Sequence, residues 1–208
     1  MRIVEPVTIS HEDTRAMDVL RSPGLWLLVG GLELLFLVHL SEFLYPGYSV
    51  SANYISDLGV GPMPSSAIFT VAIILFGLMA LLAAALFRQK DKKLLIWLLV
   101  ALTGIGAIGV GAVNEDYIPL IHRASALTAF LFGNLGVLYS FKMVRHPLSY
   151  VFALLGLIGL SALALFGAGI YLGLGVGGME RMILYPAMFW AVGFGAFLSA
   201  EENRGSGT

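Results

Sequence analysis

From residue 24 to residue 200 the chain is a succession of six apolar stretches parted by short polar breaks. That pattern constrains the fold more than any other feature. A helix that is apolar on every side belongs in the interior of a large protein or in a bilayer. About 20 residues of helix cross the roughly 30 Å of hydrocarbon in a membrane. The stretches run over 24–45, 65–88, 93–113, 120–143, 148–172 and 180–200. Only 12% of the residues are charged, against about 25% in an ordinary soluble domain, too few to coat a globular surface. The expected fold class is all-α: a polytopic membrane protein built as a six-transmembrane-helix bundle. It is organised as an N-terminal segment over 1–22, a membrane domain over 23–200 and a tail over 201–208.

The same composition excludes several functions. With no cysteine there is no disulfide, thiolate nucleophile or zinc–thiolate site. A net charge of −1 gives no reason to expect nucleic-acid binding. The expected partners are membrane lipids. The N-terminal residues lack the form of a cleavable signal, and the first apolar stretch is too long for a signal core. Ser10 and Asp13 have the spacing of a capping box, with Ala16, Met17, Val19 and Leu20 as an apolar strip behind them.

Basic residues set an orientation. With the N-terminus inside, the inner segments hold Arg2, Arg15, Arg21, Arg88, Lys90, Lys92, Lys93, Lys142, Arg145 and Arg204. The outer ones hold only Arg123 and Arg181. The positive-inside rule then places both termini in the cytoplasm of a multi-pass cell-membrane protein, and the bias supports an even number of spans.

The longest polar connection in the membrane region is outer: YPGYSVSANYISDLGVGPMP, from Tyr45 to Pro64. It has no Lys or Arg and packs Ser51, Asn53, Ser56 and Asp57 into seven residues. A short helix over 52–58 capped by Ser51 and ended by Gly59 and Gly61 is expected there. Glycines elsewhere are read as close-packing sites between helices: Gly104, Gly106 and Gly109 in GIGAIGVGAV, and the pairs Ala107/Gly111, Gly169/Gly173 and Gly173/Gly177. The literal GxGxxG match inside an apolar helix has no strand before it and is not a nucleotide fingerprint. GLGVGG over 173–178 also reads as an outer connection.

Polar residues supply the candidate chemistry. Glu33 lies near mid-membrane in the first span, where a charge costs about 2.5–3.5 kcal/mol. Asn134 falls at similar depth in the fourth span and is the expected partner, in a structural hydrogen bond or a proton path. His39 and Glu42 share a face one turn apart. Glu115 and Asp116 precede the fourth span, which opens with His122 and Arg123. Glu180 and Arg181 start the sixth span. Five acids (Glu42, Asp57, Glu115, Asp116 and Glu180) thus meet two arginines in one outer layer. That layer reads as solvated helix caps, as a metal or acid–base site, or as a haem site on His39 and His122. No HExxH spacing supports the metal.

SxNYISDLGVGP before the second span and GAVNEDYIPLIHRASALTAFLFG into the fourth resemble the six-span prokaryotic membrane family known as domain of unknown function 998. That family is distantly similar to Frag1/DRAM/Sfk1 membrane proteins, some linked to lipid handling. The resemblance covers roughly residues 25–200 and rests on Ser56, Asp57, Leu58, Gly59 and the acidic turn before His122. It implies a six-helix bundle and no established reaction.

The expected site is therefore an outward-facing pocket for a lipid headgroup or other amphiphile. Asp57 and His122 are the acid–base or ligating pair. Ser51, Asn53, Ser56, Glu115, Asp116 and Arg123 bind substrate, with Arg123 on a phosphate. Glu33, His39, Glu42 and Asn134 are the intramembrane polar residues. A small-solute or proton transporter and a ligand-free structural protein are the alternatives.

Overall fold

The structure is a computed structural model describing residues 19–90, 95–113 and 115–205, the last three of these without side chains. The proposed cap at Ser10–Asp13 and its strip at Ala16 and Met17 lie outside the described residues, as do Lys92, Lys93 and Asn114. Among the described residues there are six α-helices: α1 (Pro23–Phe43), α2 (Ser65–Lys90), α3 (Ile96–Ala112), α4 (Pro119–Tyr139), α5 (Leu148–Gly167) and α6 (Gly175–Gly205). No strand is found among the described residues. All but α3 are long and apolar enough to cross a membrane. At 17 residues α3 spans about 26 Å, the lower limit for a span.

Sequence explains where the helices begin. Pro23 and Pro119 stand in the first turns of α1 and α4, where a missing amide costs nothing. Ser22 Oγ accepts from the Leu25 amide and caps α1. Two boundaries depart from expectation. α5 stops at Gly167, so Gly169 and Gly173, both at positive φ, shape a turn and pack against no helix. α6 starts five residues early, at Gly175, which draws Glu180 and Arg181 a turn inside the bundle.

Neighbouring helices are antiparallel, each packing on the next, and α6 closes the ring on α1. Glycine makes the closest contacts. A Cβ on Gly24 would lie 2.6 Å from the Gly195 carbonyl oxygen across α1 and α6. One on Gly77 would lie 2.8 Å from the Gly104 carbonyl oxygen across α2 and α3. Lipid tails give helices no hydrophobic reason to associate, so such close approach supplies the packing. Large apolar side chains point outward, among them Phe36, Leu78, Ile105, Leu154 and Phe189. The bundle is a multi-pass transmembrane protein. Phe152, Phe194 and Trp190 fill its centre near one end.

Candidate functional site

At one end of the ring, residues 44–64 fold over the mouth. The expected helix at 52–58 is only a 3-10 turn, Ser56–Gly59. Its organiser is Asp57, not Ser51. Asp57 Oδ2 accepts from the Tyr54 amide at 2.9 Å and from Asn53 Nδ2 at 3.0 Å. The side-chain oxygen of Asn53 accepts from the Ser49 amide at 3.0 Å. Ser51 instead ties the segment to α6: its hydroxyl donates to the Leu174 carbonyl at 2.7 Å, and its carbonyl accepts from the Gly177 amide at 3.0 Å. Any side chain at Gly177 would overlap the Asn53 carbonyl oxygen, so backbone lies directly on backbone there.

Arg181 pins the same segment from below. Its guanidinium pairs with Glu42 on α1 and donates to Tyr48 Oη at 2.8 Å. It also donates to the carbonyls of Val50 at 3.1 Å and Gly177 at 2.9 Å. Tyr48 Oη passes its own hydrogen to the Tyr54 carbonyl at 2.8 Å. Burial pushes the Tyr48 hydroxyl up to about 12, so it stays a donor. One turn away, Tyr185 meets His39: the Oη–Nε2 distance is 3.2 Å and the rings stack at 5.9 Å. The pair His39/Glu42 on α1 thus faces the pair Arg181/Tyr185 on α6.

Beneath this roof lies a cavity of about 60 Å³ along the bundle axis. Its walls are apolar: Leu34, Val38, Phe69, Ile73, Phe76, Ala107, Val110, Ala126, Ala129, Phe130, Leu184 and Met188. Its polar residues are Ser56, Thr103, His122, Asn134 and Glu180. His122 is 4% exposed. Its Nδ1 lies 2.8 Å from the Val113 carbonyl oxygen and must donate to it, which leaves Nε2 with a lone pair in the neutral ring. Nε2 is buried and has no hydrogen-bond partner. The nearest acid is Glu115, whose Oε2 is 3.8 Å away, too far for a hydrogen bond. Ser56 Oγ donates to that same oxygen at 3.1 Å. Glu180, fully buried, accepts from the Ile55 amide.

The structure therefore brings Ser56, Glu115, His122 and Glu180 together at the cavity roof. Asp57 is at the same end, with its Oδ2 bonded to its own segment, and the acid beside His122 is Glu115. In the order Ser–Glu–His the hydroxyl donates to the acid, not to the imidazole, so the trio lacks the bond that lets a base activate a nucleophile. Asp116 is exposed. Arg123 is exposed and does not line the cavity, so the phosphate contact expected of it has no place there. The haem reading fails on geometry: both His39 ring nitrogens are engaged, by Leu35 and Tyr185, on an exposed face. No cluster of three metal-ligating side chains occurs among the described residues.

Asn134 does not partner Glu33. Its Nδ2 donates to the carbonyls of Phe130 at 2.9 Å and Ile183 at 3.1 Å, bridging α4 to α6. Its Oδ1 points at Gly159 on α5, where any Cβ would overlap it. Glu33 does not line the cavity, and its carboxyl oxygens are buried without a hydrogen-bond partner. Sequence reasoning missed Tyr48, Thr103 and Tyr185. Glu180 and Arg181 carried a readable signal, two charges together at the start of an apolar run, but the late start expected for that span placed them at the surface.

A family model described as protein of unknown function (DUF998) matches residues 28–196. The chain belongs to this family. The DUF998 match takes in α2 to α5 whole, most of α1 and α6, and the whole cavity roof. No curated protein and no solved structure matches the chain.

Proposed function

We propose that the protein takes up an amphiphile from the outer leaflet of the cell membrane. Its polar head sits under residues 44–64, against Ser56, Glu115, His122 and Glu180, and its first carbons enter the axial cavity. One observation carries this reading: His122 Nε2 is a buried acceptor without a partner at the polar end of an otherwise apolar cavity. Leaving such a group unpaired costs roughly 1–3 kcal/mol, and a bound polar head supplies the partner. At about 60 Å³ the cavity is well below the ~150 Å³ that accommodates benzene. It suits the first few carbons of a chain, with the remainder between helices.

Orientation follows from charge. Arg21, Arg88, Lys90, Lys142 and Arg145 gather at the end opposite the roof, which supports a cytoplasmic placement of that end under the positive-inside rule. Because the chain has no cysteine, a single cysteine at Ser49 or Lys90 reports its side by labelling with a membrane-impermeant maleimide. Ser49→Cys should label from outside and Lys90→Cys only after permeabilisation.

The binding test is mass spectrometry of lipids carried through purification. Wild type should retain an amphiphile that is lost from Ala129→Phe, which fills the cavity without touching the roof. Equal retention by both would end the proposal.

A further inference from the structure

Resting on the pocket reading above, we infer that the amphiphile has a hydrogen-bond-donating, non-anionic head, an alcohol or a protonated amine, and that phosphate-headed amphiphiles are excluded. The argument is an inventory of donors. Five polar side chains line the cavity, and in four of them the hydrogens of the neutral side chain are already used. The Ser56 hydroxyl donates to Glu115. The Thr103 hydroxyl donates to the Leu99 carbonyl at 2.8 Å. Asn134 Nδ2 serves Phe130 and Ile183. His122 Nδ1 serves Val113. Glu180 accepts from the Ile55 amide and, when ionised, offers no hydrogen.

What remains facing the cavity is acceptors. His122 Nε2, in a residue 4% exposed, and Asn134 Oδ1 are without a partner, and Oδ1 is turned toward Gly159. Behind it stands the Glu115 carboxylate at 3.8 Å. An anionic head would meet lone pairs and find no hydrogen, whereas a hydroxyl or ammonium would satisfy Nε2 directly. Charge points the same way. Asp57 and Glu115 lie close enough to Glu180 to act on it electrostatically. The nearby cation, Arg181, is paired with Glu42 and does not line the cavity. Arg123, the other arginine at this end, is exposed on α4. An anion here lacks a counter-charge and would be repelled.

The experiment uses the full chain in phosphatidylcholine nanodiscs and three photoreactive probes. They share one alkyl chain carrying a diazirine and differ only in the head: hydroxyl, primary amine or phosphate. Each is compared at the same mole fraction in the bilayer, and cross-links are mapped by peptide mass spectrometry. The hydroxyl and amine probes should label residues 103–110 and 126–134 saturably, at least about tenfold above the phosphate probe, the scale set by one hydrogen bond to a buried partner. His122→Phe, which removes the acceptor and keeps the ring volume, should abolish that preference. Phosphate labelling equal to hydroxyl labelling would overturn the headgroup inference and leave the pocket standing. Unchanged labelling in a monodisperse His122→Phe variant would also overturn it. Cavity labelling by none of the three would remove the pocket reading and the inference together. The headgroup comparison is made on wild type, so it stands even if the variant fails to fold.

Discussion

Arg181 on α6 and Glu42 on α1 form an ion pair with both side chains almost out of solvent, at 5% and 11% exposure. Removing one partner of a buried pair leaves an uncompensated charge and costs about 3–5 kcal/mol. Arg181→Met should lower the thermal unfolding midpoint in detergent sharply. Glu42→Gln, which keeps an acceptor oxygen, should lower it less. Equal, small shifts for both would mean the pair does not hold α1 to α6.

Asn134 and Gly159 predict a coupled pair. Gly159→Ala drives a methyl into Asn134 Oδ1, and overpacking of this kind costs about 1–3 kcal/mol. The double variant Gly159→Ala, Asn134→Ala should recover part of that loss. Denaturant unfolding of the four proteins measures the interaction energy.

Asp57 accepts two hydrogen bonds within its own segment. Asp57→Ala should cost about 1–3 kcal/mol of local stability. Hydrogen exchange at residues 50–58 should accelerate, with the membrane core unchanged. Unaltered exchange there would return Asp57 to a direct role in the site.

Tyr48 predicts a pH dependence. Burial raises its folded value to about 12, while an unfolded tyrosine titrates near 10. Between about pH 10 and 12 the unfolded chain loses this proton and the folded one keeps it, so stability falls with rising pH. The contribution is fully present below about pH 10. Tyr48→Phe should be less stable at neutral pH and should lose less on going from pH 9 to 12. Parallel curves would show that Tyr48 does not titrate this way.

Much of the fold was legible because the bilayer imposes a simple rule. Long apolar runs become helices, and prolines at 23 and 119 mark where two of them start. The site was harder to read. Glycine has two uses that sequence spacing does not separate: Gly104 lets helices touch, while Gly169 and Gly173 only turn the chain. The first turn of α6 was hidden by GLGVGG, whose glycines suggest a loop but accept the backbone of residues 50–53. Asp57 looks chemical in sequence because it is acidic and surrounded by polar residues. Local hydrogen bonds engage its Oδ2, and no sequence pattern distinguishes a capping carboxylate from a reactive one. The neighbour of His122 proved to be Glu115, seven residues earlier, because the turn before α4 folds back over the first turn of that helix.

The closure of α6 on α1 has a bearing on biogenesis. Helices enter the bilayer in order, so five of them stand as an open arc until the last arrives. Glu180 and Arg181 come with that last arrival, and until then Glu42 lacks its counter-ion and the cavity lacks a wall. Assembly of the ring and closure of the cavity wall are thus completed in one step, and an intermediate caught before it should expose Glu42 and Tyr48 to quality control.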